Sequence, residues 1–515
     1  MALFRYLRSL HVVAVILALT SLVTGLRISI VSHTTWQWLS PLLPQGNVHQ
    51  WHFAAGAPLL VLILIYMGYR VYVGLLRSSS KKGTKGYHRW VKWLGYMALC
   101  LLATSGLLLW FDTWIDVARP LHFYAASLFM LYLLLHGWIY LLQKGKGVLV
   151  WLVPSFSKAT LLTVFSLGTL GWFLFAFGQQ GETVGRVLSV KTITTDTLWA
   201  VDGKADEAFW DQVPRHTIET SAGANFVNGQ TKIHVRAVDN GIETLFLIEW
   251  QDETESLTHL PLLKTQGRWV VQQQGFSHFN ETRYYEDKFA VMLSSECAVG
   301  ADNTLHLGPK PLQGKPANWH GKGYHAALDG RTRDLWHWKA VRTNPMYQAD
   351  DNLFTAAQLP LDGERRYKAG YMTDPKESGG YVMNWQWFKT ASVTPKRLPL
   401  EQVDPLAARA HLDWYGSAPY EQQNDTYLEG QQLPSVLYRS NQFEGDRGDV
   451  RAHGVWKQGK WTLELARLRD TESDYDVVLE NGVCLWFAAF DAAQIGHTRH
   501  QMPLRLQYEG AMHGR

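Results

Sequence analysis

The chain has 515 residues, 49 Lys and Arg against 45 Asp and Glu, and 47% hydrophobic residues, so several domains are expected. Its charge is unevenly divided: residues 1–180 hold 14 basic residues and two acids, Asp112 and Asp116, whereas residues 181–515 hold 35 basic and 43 acidic residues. The first part has the composition of a membrane protein. The second is soluble and acidic, which excludes nucleic acid as an expected partner.

Five apolar segments, about 9–31, 53–76, 91–111, 120–142 and 159–178, are each long enough to span a bilayer. Arg5 and Arg8 precede the first, but its apolar run is too long for a signal peptide and lacks a small-residue cleavage site, so it reads as a helix. Basic residues gather at the N-terminus, at 77–92 and at 144–158, while the connections between them, about 32–52 and 112–119, hold only Arg119. By the positive-inside rule the N-terminus is cytoplasmic, and the fifth helix exports everything after about residue 180. The expected organisation is a helical bundle over 1–148, a fifth transmembrane helix over 149–180, a linker over 181–195 and an exported domain over 196–515. In a bacterium this is a multi-pass protein of the inner membrane with a periplasmic C-terminal domain.

The fourth segment, LHFYAASLFMLYLLLHG, is apolar apart from His122 and His136. Fourteen residues of α-helix place both imidazoles on nearly one face, roughly 21 Å apart along the axis. Polar groups at such depths are costly and mark function. With the N-terminus inside, His11 lies level with His136 on the inner side, and His52 lies level with His122 on the outer side. His49, three residues earlier, is the alternative to His52. Two imidazole pairs, one per leaflet, suit two b-type haems, each bridging two helices. The other reading of each histidine is a hydrogen-bonded bundle residue or a helix-end cap.

RYLRSLHVVAVILALTSLVTG, HQWHFAAGAPLLVLILIYMGYRVYVG, YHRWVKWLGYMALCLLATSG and LHFYAASLFMLYLLLHGWIYLL together resemble the di-haem cytochrome b subunits that anchor nickel hydrogenases and formate dehydrogenases, over about residues 5–145. The resemblance implies four helices, two b haems and exchange with membrane quinone. Where the family has Trp after the first histidine, this chain has Val12.

In the exported part, KIHVRAV (232–238), TLFLIEW (244–250), FAVMLS (289–294), GVWKQGKWTLELARL (454–468) and VCLWFAAF (483–490) read as strands. Short strands far apart in sequence suggest a β-sandwich with long insertions. Residues 300–445, rich in Gly, Pro, Asn and Trp, read as long ordered loops that could cover a ligand. His320, His325 and His337 lack compact metal-ligand spacing and read as loop and pocket-wall residues, with Trp336 and Trp338 as cover for a cofactor. Asp350 and Asp351 could bind a cation, but read as turn carboxylates. No CxxC or CxxCH occurs. Cys297 and Cys484 can pair in an oxidising compartment or stay as two buried thiols.

In FAVMLS both faces are apolar: Phe289, Val291 and Leu293 point one way, Ala290 and Met292 the other. Together with VDGKADEAFW, LFLIEWQD, DLWHWKAVRTNP and LWFAAFD, this order of motifs resembles the haem-binding domain of the ethylbenzene dehydrogenase gamma subunit, over about 195–510. That family implies a β-sandwich holding one b haem between Met and Lys. The Met carries over to Met292. The Lys does not, because none follows Lys460; the corresponding stretch is GHTRHQMP, which makes His500 the expected replacement and His497 the alternate.

The expected function is a membrane-anchored b-type cytochrome. Electrons would pass between quinone, two transmembrane haems and one exported haem, and a periplasmic redox protein or molybdenum-enzyme-type partner. A quinol-oxidising role fits a Met-ligated, more oxidising terminal haem. The alternative is a membrane-tethered haem or ligand sensor without net electron transfer; a catalytic exported domain is the third reading, for which no nucleophile constellation stands out.

Overall fold

A computed structural model describes residues 2–29, 48–76, 86–145 apart from Asp112, 186–276 apart from 195–197, 281–297, 304–307 and 324–509 apart from 328, 360–367, 375–378, 386–391 and 402–409, with short pieces of 36–44 and residue 147. The chain divides into two units, one of Met1–Val184 with Ala298–Gly300, and one of Gly185–Cys297 with Ala301–Arg515.

The first unit contains helices α1 (Ala2–Ser29), α2 (Val48–Leu76), α3 (Gly86–Trp110) and α4 (Ile115–Lys144). Among the described residues, Leu10–Ser29, Trp90–Trp110 and Val117–Gln143 are long and apolar enough to cross a membrane, and α2 contains the apolar stretch Trp51–Tyr66. The expected fifth helix, 159–178, lies outside the described residues. α1 packs on α2 and α3 on α4. A central layer joins them: Ala18 of α1 and Ala98 of α3 let the helices approach around Phe129 of α4, with Leu22, Leu59 and Tyr132 packed alongside.

The second unit is built on one 12-stranded sheet. In chain order its strands are β1 (Arg186–Thr192), β2 (His216–Thr220), β3 (Thr231–Asp239), β4 (Glu243–Gln251), β5 (Lys288–Ser294) and β6 (Arg333–Lys339). They continue with β7 (Asp350–Phe354), β8 (Tyr371–Thr373), β9 (Arg451–Trp456), β10 (Lys460–Leu468), β11 (Cys484–Phe490) and β12 (Leu504–Tyr508). The spatial order is β8-β7-β6-β5-β11-β12-β1-β3-β4-β10-β9, with β2 paired to β3. β1 is parallel to both its neighbours, β12 and β3.

The sheet closes over its own core, so its two halves meet face to face. Trp250 of β4 contacts Phe289 of β5 at 4.7 Å between ring centroids, Phe246 of β4 contacts Trp336 of β6 at 5.8 Å, and Trp338 of β6 meets Trp461 of β10 at 5.0 Å. Alternation decides which side chains enter: Ile233, Val235 and Ala237 from β3, and Phe289, Val291 and Leu293 from β5.

Three expectations change here. Arg186–Thr192, expected within a linker, is a strand near the middle of the sheet, because Leu188 and Val190 alternate into the core with no exposed surface. The stretch 454–468 is a hairpin rather than one strand: Gln458 and Gly459 both take positive φ, 52° and 79°, as a two-residue turn between antiparallel strands requires. Residues 300–445 contain β6, β7 and β8 as well as smaller sheets. Trp336 and Trp338 therefore belong to the central core and are not a cover for a cofactor.

Cys297 and Cys484 form a disulfide, with Cα atoms 5.5 Å apart, joining the chain beyond β5 to the start of β11. Replacing both cysteines with serine should lower unfolding stability by about 2–5 kcal/mol, read as a shift of the second unit's transition in denaturant. Trp250→Ala, which empties the contact between the two halves of the sheet, should cost about 3–5 kcal/mol by the same measurement.

Candidate functional site

Helix α4 positions two imidazoles at opposite ends of the bundle. His136 faces His11 of α1 with ring centroids 6.3 Å apart, and His122 faces His52 of α2 at 6.2 Å. Two imidazoles bound on opposite sides of one metal ion, each through a metal–nitrogen bond of about 2 Å, have centroids roughly 6 Å apart. Both pairs have this separation. His52, not His49, is the α2 histidine that meets His122.

Hydrogen bonds orient the second pair. Nδ1 of His52 lies 3.0 Å from the carbonyl oxygen of Ser21, which can only accept, so Nδ1 carries the proton. Thr24 Oγ1 lies 3.1 Å from the same nitrogen and gives its own proton to the Thr20 carbonyl at 2.7 Å. On the other side, Ser105 Oγ donates to the Leu101 carbonyl at 2.6 Å and so accepts from Nδ1 of His122 at 2.9 Å. Each ring thus keeps its Nε2 lone pair for a ligand-binding role. A hydrogen bond on the far nitrogen is what fixes a metal-bound imidazole in orientation and basicity.

Glycines make the room. A Cβ on Gly25 of α1 would stand 3.1 Å from Cε1 of His52, and one on Gly106 of α3 would stand 3.4 Å from Cε1 of His122. Thr24-Gly25 and Ser105-Gly106 are the same device on two helices: a hydroxyl that holds the ring beside a glycine that admits it. None of these four residues was singled out from sequence. The repeated hydroxyl–glycine pair near the ends of segments one and three was the available signal. At the other end, His136 lies between Tyr132 and Tyr140, with ring centroids 5.2 Å and 5.0 Å away.

In the second unit, Met292 of β5 is buried, opposite Leu335 of β6 and Trp486 of β11, beside the Cys297–Cys484 disulfide. It faces away from the central core, as the alternation of β5 predicts. His500 does not complete a ligand pair with it. The His500 Nδ1–H donates to the Met502 carbonyl at 2.8 Å, and its Nε2 accepts the Phe487 N–H at 2.9 Å, so both nitrogens are spent on the backbone. Burial lowers its pKa to about 4, keeping the ring neutral. The alternate, His497, donates from Nδ1 to the Thr498 carbonyl at 2.8 Å and packs on Phe490.

His337 of β6 lies on the Met292 face. It pairs with Ala290 of β5, one alternation away from Leu335, which pairs with Met292. Its ring stacks on Phe490 at 5.6 Å, and its Nε2 is buried with no hydrogen-bond partner. Burial, then the charges of Lys339 and Lys288, hold its pKa well below the usual histidine value. An uncharged imidazole with an orphaned buried nitrogen fits a metal-ligand role better than either histidine of GHTRHQMP. Reading DLWHWKA as a strand would have found it, since alternation sets Leu335 and His337 opposite Trp336 and Trp338.

The ethylbenzene dehydrogenase family model matches residues 207–502, more than half of the chain. The chain belongs to the ethylbenzene dehydrogenase family. A second model, prokaryotic cytochrome b561, matches residues 5–148, so the N-terminal unit is a cytochrome b561 domain of the nickel-hydrogenase type. A haem-binding membrane domain joined to an ethylbenzene dehydrogenase domain makes this a haem-containing electron-transfer protein of the membrane. No curated protein matches the chain. Among solved structures, a family 9 carbohydrate-binding module from Caldicellulosiruptor kristjanssonii in complex with cellotriose is 9% identical, with a TM-score of 0.23, covering 64% of this chain and 95% of that one. A carbohydrate-binding protein from Bacteroides uniformis is 11% identical, with a TM-score of 0.20, covering 63% of this chain and 91% of that one. Scores this low carry no argument about ligand.

His500→Ala should leave the Phe487 N–H unsatisfied and cost about 1–3 kcal/mol of stability, with the haem spectrum unchanged. Because the folded-state pKa of His500, about 4, lies below the unfolded value of 6.5, the unfolded chain takes up the proton first. Its contribution is therefore intact above pH 6.5 and is lost as pH falls toward 4, by up to about 1.4 kcal/mol per pH unit. His500→Gln should remove that part of the acid slope in denaturant titrations.

Proposed function

We propose that this protein is a membrane-anchored b-type cytochrome that exchanges electrons between the membrane quinone pool and a periplasmic redox partner. The observation that carries this reading is the pair of histidine couples, each at the spacing of two imidazoles sharing one iron. They are set at the two ends of a helix segment that spans most of a bilayer's apolar core. His11 and His136 hold one haem b, toward the cytoplasm. His52 and His122 hold the other, toward the outside. Haem b supplies one-electron exchange; the protein supplies ligands, spacing and a fixed imidazole tautomer. Ser21, Thr24 and Ser105 keep Nδ1 of the outer pair protonated and Nε2 directed at the iron.

The family supports a third haem in the exported domain. Met292 is its first ligand, and His337 takes the place that sequence comparison assigns to His500. The Cys297–Cys484 disulfide supports an oxidising compartment for this domain, in keeping with a cytoplasmic N-terminus and export through the fifth apolar segment. Methionine ligation raises the potential at the exported end, which favours electrons leaving quinol and moving outward to a periplasmic protein or a molybdenum-enzyme-type partner.

Haem extraction and reduced-minus-oxidised spectra on the full chain test this. His122→Ala and His136→Ala should each remove one b haem, and a different one in each case. Met292→Ala and His337→Ala should change only the exported haem. Full haem content in both bundle variants would defeat the cytochrome reading.

A further inference from the structure

Five aspartates converge where β6, β7 and the loops beside them meet, on the second unit and away from the Met292 face. Asp334 lies on β6 and Asp351 on β7; Asp374 follows β8, Asp449 precedes β9, and Asp476 lies between β10 and β11. Asp334, Asp351 and Asp374 are almost fully buried, at 0%, 0% and 1% exposure. Carboxylates do not gather in a protein interior without compensation, because each buried charge is costly and like charges repel. Among the described residues one guanidinium pairs with them: Arg467, fully buried, pairs with Asp334 and also donates to the Val477 carbonyl.

The hydrogen bonds divide the carboxylate oxygens into two sets. Asp334 Oδ2 accepts from Arg467 and from the Val477 N–H, Asp351 Oδ1 accepts from the Asn352 N–H at 2.8 Å, and Asp476 Oδ2 accepts from Thr471 Oγ1 at 2.6 Å. The opposite oxygens, Asp334 Oδ1, Asp351 Oδ2 and Asp476 Oδ1, are buried and receive no hydrogen bond. Both oxygens of Asp374 and of Asp449 are likewise buried without a donor. Asp334, Asp351 and Asp476 each offer an oxygen within 4.8 Å of the others, and Asp374 and Asp449 lie within hydrogen-bonding reach of Asp476.

We propose that Asp334, Asp351 and Asp476, flanked by Asp374 and Asp449, form a structural calcium site. In each of the first three, the protein anchors one oxygen and leaves the other buried without a donor, and each brings an oxygen within 4.8 Å of the others, which is how carboxylates are held for a cation. A hard, all-oxygen donor set with several carboxylates suits calcium, which takes about 6–8 oxygens at 2.3–2.6 Å; magnesium demands tighter octahedral geometry and keeps its waters. The ion would add to the contacts that already join β6 and β7 to the loops before β9 and before β11, the Arg447–Asp350 ion pair and the Val477 N–H on Asp334, and would offset the repulsion among the remaining carboxylates. The contrast with Asp252, Asp287 and Asp491 is instructive. These also lie within 4.8 Å of one another, but both Asp287 oxygens are taken by backbone and indole donors from Ser256, Ala492 and Trp461, so that cluster carries no such site.

The test uses the full-length protein in detergent, stripped with chelator and dialysed against calcium chloride alone. Elemental analysis should return calcium bound to the chain, and tryptophan fluorescence should report a higher melting temperature for the second unit with calcium than with chelator. Asp374→Asn and Asp351→Asn should weaken calcium binding at least about tenfold, since site affinity follows ligand charge. In chelator, Asp374→Asn should melt higher than the parent, because one repelling charge is gone; with calcium it should melt lower. That crossover separates an ion site from a cluster that merely holds protons, in which the variant would be more stable in both buffers. Neither bound calcium nor a melting shift at about 1 mM, the weak end for extracellular calcium modules, would overturn the proposal. So would a preference for magnesium, or variants that bind calcium as the parent does.

Discussion

The bundle depends on a distance. At each end, two imidazoles stand with ring centroids 6.2–6.3 Å apart, the spacing of two ligands on one metal ion. On one side the imidazoles are tethered by their outer nitrogens to a threonine, a serine and a backbone carbonyl. Behind them stand Gly25 and Gly106, where a methyl group would crowd the ring. Between the two ends, Ala18, Ala98 and Phe129 form a solid apolar layer. The bundle is therefore two polar sites separated by a packed floor, and the histidine spacing on α4 sets the height of that floor.

The second unit answers a different demand. Its sheet wraps around a core of tryptophan and phenylalanine, and β5 is apolar on both faces, so one face serves the core and the other is free for a second purpose. That second face carries Met292, Ala290, His337 and Trp486, edged by a disulfide. Small side chains at Ala290 and Ala488 lie between the larger ones. A strand buried on both faces has no polar residues to mark one of them as a surface, which is why β5 looks like the deep interior when read alone.

Much of this was legible beforehand, for reasons that can be named. His122 and His136 stood out because ionisable residues are rare in apolar helices and because fourteen residues is close to a whole number of turns. The strands at 232–238, 244–250 and 483–490 stood out by alternation. Arg333–Lys339 and Asp350–Phe354 did not, because their charged residues other than Asp351 are paired inside the fold: Arg333 pairs with Asp329, Lys339 and Arg447 pair with Asp350, and Asp334 pairs with Arg467. Arg447 and Arg467 lie far along the chain from Asp350 and Asp334, so the segments read as loop. His500 misled for the converse reason. A histidine in the expected place is a ligand only if a ring nitrogen is left over, and the contacts that consume both nitrogens leave no trace in composition.

The position of β1 has a consequence for how the domain is made. Among the described residues it is the first strand after the helices, and it lies near the middle of the sheet, hydrogen-bonded on one side to β3 and on the other to β12, the last described strand. Half of its pairing is available as soon as β3 arrives; the other half waits for residues 504–508. Contacts of such long sequence separation are slow to form. During synthesis β1 would present an open hydrogen-bonding edge until nearly the whole second unit has been made. A strand in that state is open to pairing with the wrong partner. The nascent domain therefore has reason to need shelter until its last strand is delivered.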